Sequence, residues 1–359
     1  MLGEMKMKIL HPEYQLKSES FFDNLVTQLR NQKKSPEILY HYTPNFEAIK
    51  GIAQKRELWL TNIAFLNDVS ELDYIKSLEE DLDPVVKSYL QKWGTIREEN
   101  PSHTYIMSFS EKSDYLPLWA TFTKMRGYCI GFDKVDFEKK VLTKQALNIN
   151  NIMDSHSNFE ASRKLALEYD ETAEFQGSFG GAWWHLCPVI YDRKQQVKIM
   201  NTLVKDAILD FEKTKNEPDK KNPQSVIIQG NKEIGKIPKD DTAFENAIDR
   251  LFNQCATLFK SEDFSYEREW RYIKEMTSSS KHLLRHLIYV REVDNVLIPY
   301  IKLKLQNDLS FGIKEIISAP LADSDTILPG LDFALFDAGY EVGENGVLLK
   351  KSNIKLRRF

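Results

Sequence analysis

The sequence predicts a single mixed α+β domain, with short strands in a bent or split sheet and helices packed on it. Short β-type runs are interleaved with segments of helical periodicity, but strand and helix do not alternate regularly along the chain. Neither a GxGxxG nor a GxxxxGK loop is present, so a Rossmann or P-loop nucleotide site is not supported. The 359 residues are 42% hydrophobic and 28% charged, a composition that excludes a disordered chain, a collagen-like repeat and a membrane bundle.

Polar segments predict how the chain is divided. Residues 1–36 are expected to form an N-terminal helical extension, because apolar residues recur at helical spacing within 14–34. Residues 37–359 are expected to form the α+β domain. Residues 214–242 are rich in Lys, Asn, Asp, Pro and Gln, which predicts a polar insertion that forms a mobile loop.

The first half of the domain is predicted to alternate apolar strands with helices whose apolar residues lie three or four positions apart. The predicted strands are Glu37–Tyr42, Glu57–Thr61, Tyr105–Phe109 and Tyr128–Phe132. Helices are expected after a cap at Pro44-Asn45, from Asn67-Asp68 onward with Leu72, Ile75 and Leu78 on one face, and over 113–126.

The second half contains further apolar runs of strand length. The predicted strands are Cys187–Tyr191, 266–274, segments within 286–300, Ile313–Ser318 and Gly346–Lys350. Helical spacing predicts helices over much of 134–180, over 196–215, and along the stripe Ala247, Leu251, Cys255 and Leu258.

Charge and cysteine content narrow the function classes. Lys+Arg 49 against Asp+Glu 53 gives a net charge of -4. The overall charge therefore does not indicate a nucleic-acid binder, although a local basic patch is compatible with it. The three cysteines, Cys129, Cys187 and Cys255, are far apart, so neither a disulfide framework nor a metal site is expected. No signal-peptide h-region or run of about twenty apolar residues is present, and we therefore expect a cytoplasmic protein without a membrane partner.

The first candidate site residue is His41, in the segment LYHYTP. Strand alternation places His41 on one face and its neighbours Tyr40 and Tyr42 on the other. A histidine at the end of an apolar strand, beside a helix N-terminus, is placed to bond a ligand hydroxyl. A core histidine bonded to the backbone is the alternative.

The second candidate is the segment SYEREWRYIK, residues 265–274. As a strand it places Glu267, Glu269 and Arg271 on one face, with the Cα atoms of the two glutamates about 6–7 Å apart. Like charges this close raise each other's pKa unless a cation intervenes. Arg271 is nearer to Glu269, which predicts that Glu269 is the ion-paired carboxylate and Glu267 the freer one. A salt-bridged edge strand is the alternative, and the sequence does not decide which glutamate is essential.

The third candidate runs from MSFSE to GYCIGFD. Ser108 and Ser110 share a strand face, and Trp119, Phe122 and Arg126 lie near one helical face. A flat ligand could stack on Trp119 or Phe122 while Arg126 binds a phosphate. A Trp-Phe core face with a solvated arginine is the alternative.

Together these motifs resemble the bacterial family catalogued as domain of unknown function 2971. The matching pieces run in family order from residue 38 to residue 358. They are LYHYTP, LWLTNIAFLND, MSFSE, LW, GYCIGFD, CPVIYD, YEREWR, IKEIISAP and VLLKKSNIKLR. The family pattern has Met-Trp where this chain has Leu118-Trp119, a change of similar volume.

A second resemblance concerns activity. The segment LYHYTPNFEAIKGIAQKRELW is similar to the opening of NAD-dependent ADP-ribosyltransferases that modify nucleic acids. In those enzymes a histidine on the first strand precedes a small-hydroxyl motif on a middle strand and a glutamate on a late strand. His41, the SFS motif at 108–110, and Glu267 or Glu269 fall in that order.

The resemblance implies a coherent chemistry. Breaking the bond between nicotinamide and ribose develops positive charge on the ribose, which a carboxylate, Glu269 or Glu267, stabilises. The resemblance further implies that His41 donates to a ribose hydroxyl and that Tyr42 or Trp119 stacks on nicotinamide. A second carboxylate is available to activate an acceptor.

Two functions from different classes follow. The first is a cytoplasmic NAD-dependent ADP-ribosyltransferase or NAD glycohydrolase, acting as a toxin or phage-defence effector, with NAD as substrate and nucleic acid or protein as acceptor. The second is a non-enzymatic nucleotide- or nucleic-acid-binding module in which Arg126, Arg268 and Arg271 hold phosphate.

Overall fold

The computed structural model describes residues 7–8, 35–66, 71–99, 104–142, 184–216, 226–229, 232–236, 241–275, 288–293, 295–305 and 310–356. Its backbone contacts divide the chain into two compact units. The first unit comprises Met1–Gln32, Asp68–Pro101 and Ile190–Glu262, and the second comprises Lys33–Asn67, Ser102–Val189 and Asp263–Phe359. The predicted limits of the helical extension, the domain and the insertion stay predictions.

The strands of the described residues are mostly four to seven residues long. They are β1 (Met7–Lys8), β2 (Ile38–Thr43), β3 (Glu57–Asn62), β4 (Thr104–Ser110), β5 (Tyr128–Asp133), β6 (Trp184–Pro188), β7 (Val226–Gln229), β8 (Lys232–Lys236), β9 (Glu269–Glu275), β10 (Ile288–Val293), β11 (Val296–Lys304), β12 (Ile313–Ser318) and β13 (Leu348–Lys351).

The α-helices are α1 (Phe46–Ala53), α2 (Pro84–Glu99), α3 (Leu116–Thr123), α4 (Lys134–Leu142), α5 (Arg193–Asn216), α6 (Asp241–Leu258) and α7 (Ser324–Asp337). Short 3-10 helices lie at Ile63–Phe65, Glu71–Asp81 and Glu262–Glu267. In the described part of the chain, no helix is both long enough and apolar enough to cross a bilayer.

The second unit is built on one mixed sheet. Its strands follow the order β10-β11-β3-β4-β2-β5-β12-β13, and β9 pairs with both β4 and β6. Neighbouring strands are antiparallel except for β12 and β13, which are parallel. The predicted α+β class, with short strands and packed helices, is confirmed.

The sheet is split beside β4. On one edge β4 pairs with β3 at Tyr105 and Ile106 and with β2 at Ser110. Between these pairings, over Met107–Phe109, neither strand is a register partner of β4. On its other edge β4 pairs with β9 along its whole length. We call the gap between β2 and β3 the split site.

Separate apolar clusters cover the two faces of the sheet. Leu39, Phe109 and Ile130 belong to the cluster on one face, where helices α4 and α7 also contribute. Tyr42 and Trp119 belong to the smaller cluster on the other face, to which α3 contributes. Strand alternation explains the division, because adjacent residues of β2 point to opposite faces.

The predicted cap of the first helix is confirmed. The backbone N–H of Ala48 donates to the Asn45 side-chain oxygen at 3.3 Å, which satisfies one of the donors left unpaired at the start of α1. Ile49 and Ile52 are buried beneath the helix. The helix therefore connects β2 to β3 with a fixed entry and a buried face.

The described residues of the first unit lie mainly in helices α2, α5 and α6. The predicted stripe Leu72, Ile75 and Leu78 is buried, although its helix is of the 3-10 type. The buried amide of Gln196 donates to the backbone oxygens of Ile190 and Lys260 at 2.6 and 2.9 Å, which fixes the start of α5.

Other predicted elements differ from the structure or lie outside its described residues. The strand predicted at Cys187–Tyr191 is β6, shifted toward the N-terminus, and the helix predicted over 113–126 is the shorter α3. The part of the 214–242 insertion that is described contains the hairpin β7–β8 rather than loop alone. Most of the extension 1–36 and of the helical segment 134–180 lies outside the described residues.

Gly127 allows the end of β2 to approach the start of β5. A Cβ atom at Gly127 would lie 2.1 Å from the Thr43 carbonyl oxygen and 2.8 Å from the Pro44 Cα. Both are backbone atoms, so no side-chain movement could relieve the clash. The position of His41, two residues before Thr43, therefore depends on this glycine.

We expect Gly127→Ala to lower the free energy of unfolding by about 1–3 kcal/mol, because the backbone of β2 must move. The matched control is Gly51→Ala in α1, where the nearest atom is 3.9 Å away. That change is expected to raise stability by about 0.5–1 kcal/mol through helix propensity. Chemical denaturation measures both, and equal effects would contradict the steric explanation.

Candidate functional site

In the split site, the side chain of His41 takes the place of a backbone hydrogen-bond donor. Its Nδ1 lies 2.9 Å from the backbone oxygen of Ser108, in the stretch of β4 that neither β2 nor β3 pairs. A carbonyl oxygen only accepts, so Nδ1 carries the proton and donates. In the neutral ring Nε2 is then an acceptor, and it makes no hydrogen bond to a described residue.

Burial lowers the pKa of the His41 imidazole below its ordinary value of 6.5. The positive charge of Arg291 lowers it further, while the hydrogen bond to Ser108 acts in the opposite direction. The ring is therefore neutral at physiological pH. With Nδ1 committed to Ser108, the nitrogen of His41 that is left for a ligand is an acceptor, whereas the resemblance implied a donor to a ribose hydroxyl.

Arg291, on β10, is the cation whose charge lowers the pKa of His41. The guanidinium donates to the Thr61 hydroxyl at 2.9 Å and lies 5.9 and 5.7 Å from the ring centroids of Trp59 and Tyr300. Among the described residues, its Nε is buried without a hydrogen-bond partner and no carboxylate lies within ion-pair distance of the guanidinium. An arginine of this kind is suited to bind an anion.

Glu269 and Arg271 form a buried fork on β9. Arg271 donates through Nε and Nη2 to the two carboxylate oxygens, each at 2.9 Å. The relative exposure is 6% for Glu269 and 0% for Arg271. The prediction that Arg271 holds Glu269 is confirmed by these distances. In register, Arg271 lies opposite Ser108 and Glu269 lies opposite Ser110.

Glu267 does not share the strand of Glu269, contrary to the prediction. It ends the 3-10 helix Glu262–Glu267, and Arg268 follows with φ 44°, a left-handed conformation that separates the two glutamates. Glu267 is buried, and its backbone oxygen accepts a hydrogen bond from the Ser110 hydroxyl at 2.6 Å. The interpretation of Glu267 as the freer carboxylate is therefore wrong.

The aromatic residues predicted to stack on a ligand belong to the core. Trp119 is fully buried, donates to Asp114 at 2.6 Å, and packs edge-on against Tyr42 with ring centroids 4.9 Å apart. Phe122 packs beside the same cluster. Arg126 is exposed after the end of α3. The alternative of a Trp-Phe core face with a solvated arginine is the correct one.

His41 and Glu269, the two principal candidate residues, lie close together in the sheet but on opposite faces. The ring of His41 packs against Phe109 at 6.0 Å, whereas Glu269 shares a face with Ser110 and Tyr40. Only the width of β4 separates them, a distance of about 10 Å across two strand spacings. A ligand could contact both only through the gap between β2 and β3.

The sequence analysis missed Arg291, Thr61 and Trp59. Both strands that carry them alternate polar or aromatic residues with aliphatic ones, which is a signal for a half-exposed sheet face. Among the described residues, no group of three or more His, Cys, Asp or Glu side chains is placed to hold a metal ion.

Comparison with known families adds one finding. Residues 118–272 match the model of a family described as Protein of unknown function (DUF2971). The match confirms the predicted family resemblance, and it covers α3, the strands β5 and β6, and the Glu269–Arg271 fork. The matched region begins after His41 and Ser108, so the resemblance of the LYHYTP and MSFSE segments stays a prediction. Searches of curated proteins and of solved structures gave no match.

Acid is expected to destabilise the protein in part through His41. The pKa of this ring is lower in the folded chain, so below about pH 6.5 the unfolded chain binds the proton more strongly and stability falls. We expect the free energy of unfolding to fall more between about pH 7.5 and about pH 5.5 in the wild type than in His41→Gln. Carboxylates titrate in both proteins, so an equal fall would contradict this role.

Breaking the buried Glu269–Arg271 ion pair is expected to lower the stability of the fold. Glu269→Gln leaves Arg271 uncompensated and should lower the free energy of unfolding by about 3 kcal/mol, as should Arg271→Met. The double variant should lose less than the sum, because the two residues are coupled.

The control is Lys314→Gln, which removes a half-exposed pair with Asp133 at 3.4 Å and should change stability by less than about 1 kcal/mol. Denaturant unfolding of the four variants provides the comparison. Additive losses in the double variant would show that the fork is not a coupled pair.

Proposed function

We propose that the protein binds a nucleotide of the NAD class at the split site and cleaves its nicotinamide–ribose bond, as an NAD glycohydrolase or ADP-ribosyltransferase. The observation that carries this proposal is an acceptor, Nε2 of His41, near enough to Arg291 for that cation to lower the pKa of the ring, while no carboxylate of a described residue is paired with the arginine. A ribose hydroxyl needs an acceptor and a pyrophosphate needs a cation, so the two groups suit two parts of one ligand.

Arg291 supplies the affinity in this proposal. Its guanidinium is already oriented by Thr61 and by the rings of Trp59 and Tyr300. An oriented guanidinium loses little conformational entropy when it binds an oxyanion, and its planar donors match two phosphate oxygens. The adjacent rings offer an apolar wall for a base.

His41 supplies orientation. The Ser108 carbonyl fixes the tautomer and the ring direction, so Nε2 is preorganised to accept a ribose hydroxyl hydrogen. In the reaction the bond between C1′ of ribose and the nicotinamide nitrogen breaks, and its electron pair leaves with nicotinamide. Water or an acceptor nucleophile then bonds to C1′ and releases a proton, which balances the transfer.

Glu269 is the carboxylate available to stabilise the positive charge on ribose. Arg271 fixes its orientation, as expected for a preorganised group. The catalytic role requires the ligand to reach Glu269 through the gap between β2 and β3. A cytoplasmic toxin or defence role would follow from depletion of NAD or from modification of an acceptor.

A second function is favoured by the same fork. Glu269 is buried, ion-paired and on the face opposite His41, and these features suit a structural carboxylate. The protein would then bind a small nucleotide without chemistry.

The test measures binding and cleavage separately. Full-length protein is titrated with NAD by calorimetry, and nicotinamide release is followed by chromatography. We expect Arg291→Met to weaken NAD binding about tenfold or more, and His41→Gln to weaken it about tenfold, because each loses a hydrogen bond worth roughly 1–3 kcal/mol. Lys314→Met, which removes one charge elsewhere on the same unit, should bind as the wild type does.

Release of nicotinamide by the wild type would support the enzyme. Binding without release would select the non-enzymatic function. Absence of binding at millimolar NAD, or equal binding by all variants, would contradict both.

A further inference from the structure

Three neighbouring strands carry aromatic and cationic side chains on one face. In register, Tyr300 of β11 lies opposite Thr61 of β3 and Tyr289 of β10, and Lys302 lies opposite Trp59. Directly opposed residues of antiparallel strands share a face. We call this surface the aromatic face, and it consists of Trp59, Tyr289, Arg291, Tyr300 and Lys302.

The rings of the aromatic face form a row across the strands. The centroids of Trp59 and Tyr300 are 4.7 Å apart, and those of Tyr300 and Tyr289 are 5.6 Å apart, with interplanar angles of 33° in both pairs. Tyr300 is buried between the other two, whereas Trp59 and Tyr289 are partly exposed. The outer rings are therefore held in place while part of their surface meets solvent.

Cations lie beside these rings. Lys302 Nζ is 4.2 Å from the Tyr289 centroid, and Arg291 lies near Trp59 and Tyr300. The carboxylate of Glu57 accepts from Trp59 Nε1 at 3.4 Å and lies 3.8 Å from Lys302. Two cations against this one carboxylate leave the surface locally positive, in a chain whose net charge is -4.

We infer that the aromatic face binds single-stranded nucleic acid, with Tyr289 and Trp59 stacking on bases and Lys302 contacting phosphate. A half-exposed sheet face with rigid rings and interleaved cations is the arrangement that recognises unpaired bases. Base pairing hides the ring faces of a duplex, so single strands are preferred. The aromatic face shares Arg291, Trp59 and Tyr300 with the proposed NAD site, but the inference concerns a different ligand and does not depend on cleavage chemistry, although such a strand would be a suitable acceptor.

The experiment measures fluorescence anisotropy of a labelled oligo(dT) of about 15 nucleotides with full-length protein at several salt concentrations. Tyr289→Leu keeps an apolar contact with Tyr300 but loses stacking, and it should weaken binding about tenfold with an unchanged salt slope. Lys302→Gln should weaken binding and reduce the slope of log K against log salt by about 0.7. The two variants thus separate stacking from charge.

The control is a second lysine–tyrosine pair on the same unit. Lys112 Nζ lies 5.8 Å from the Tyr115 centroid, outside the aromatic face. Lys112→Gln and Tyr115→Leu should bind oligo(dT) as the wild type does. Far-ultraviolet circular dichroism and denaturant unfolding confirm that each variant is folded.

The inference would be overturned if the wild type did not bind oligo(dT), or if the control variants lost as much affinity as the variants of the aromatic face. It would also be overturned if duplex DNA or a mononucleotide displaced the labelled strand at the same molar concentration as unlabelled oligo(dT) does. NAD turnover is read in a separate assay, so failure of the NAD proposal and failure of oligonucleotide binding are distinguishable.

Discussion

The hydrogen bond between His41 and the Ser108 carbonyl is the constraint on which the split site depends. A backbone carbonyl within a sheet needs a donor, and on this edge no described strand pairs with β4 in register over Met107–Phe109. The imidazole provides that donor from the diverging strand β2. The same bond commits Nδ1, keeps Nε2 as an acceptor and points it away from β4. One hydrogen bond thus both supplies the Ser108 carbonyl with a donor and determines which nitrogen of the ring can accept.

Complete pairing along the opposite edge of β4 compensates for this gap. Strand β9 pairs with β4 at every position from Thr104 to Ser110, and the Glu269–Arg271 fork lies on that strand. Pairing on one side therefore holds β4 in place while its other side is left open. The fork acts first as a support of the site. A catalytic carboxylate in the same place would have to act while remaining paired with arginine.

Where local patterns determine structure, the sequence was a good guide. The strand Ile313–Ser318 was predicted with its observed limits because aliphatic residues run between turn residues, and Asn45 caps α1 as expected. Helix α7 was missed because Pro329 lies inside it and Phe333 and Phe336 are 77% and 79% exposed, so no amphipathic stripe is present.

The candidate site was predictable only in part, because its contacts join distant segments. His41 and the Glu269–Arg271 pair were found from their spacing within single strands. Nothing local indicated that Arg268 breaks the strand, since a left-handed conformation usually favours Gly or Asn. Arg291 reaches Thr61, 230 positions away, and such a pairing follows from sheet order rather than from sequence pattern.

The pairing of β4 with β9 also bears on how the chain is made. Glu111 and Trp270, which meet beside this pairing, are 159 positions apart. At about 10 residues per second, a ribosome would complete β9 roughly 15 s after β4. During that interval β4 lacks the partner along its fully paired edge, and the apolar residues of its two faces lack part of their cover. Closing so distant a contact is slow, which leaves the newly made chain exposed to aggregation until β9 has emerged.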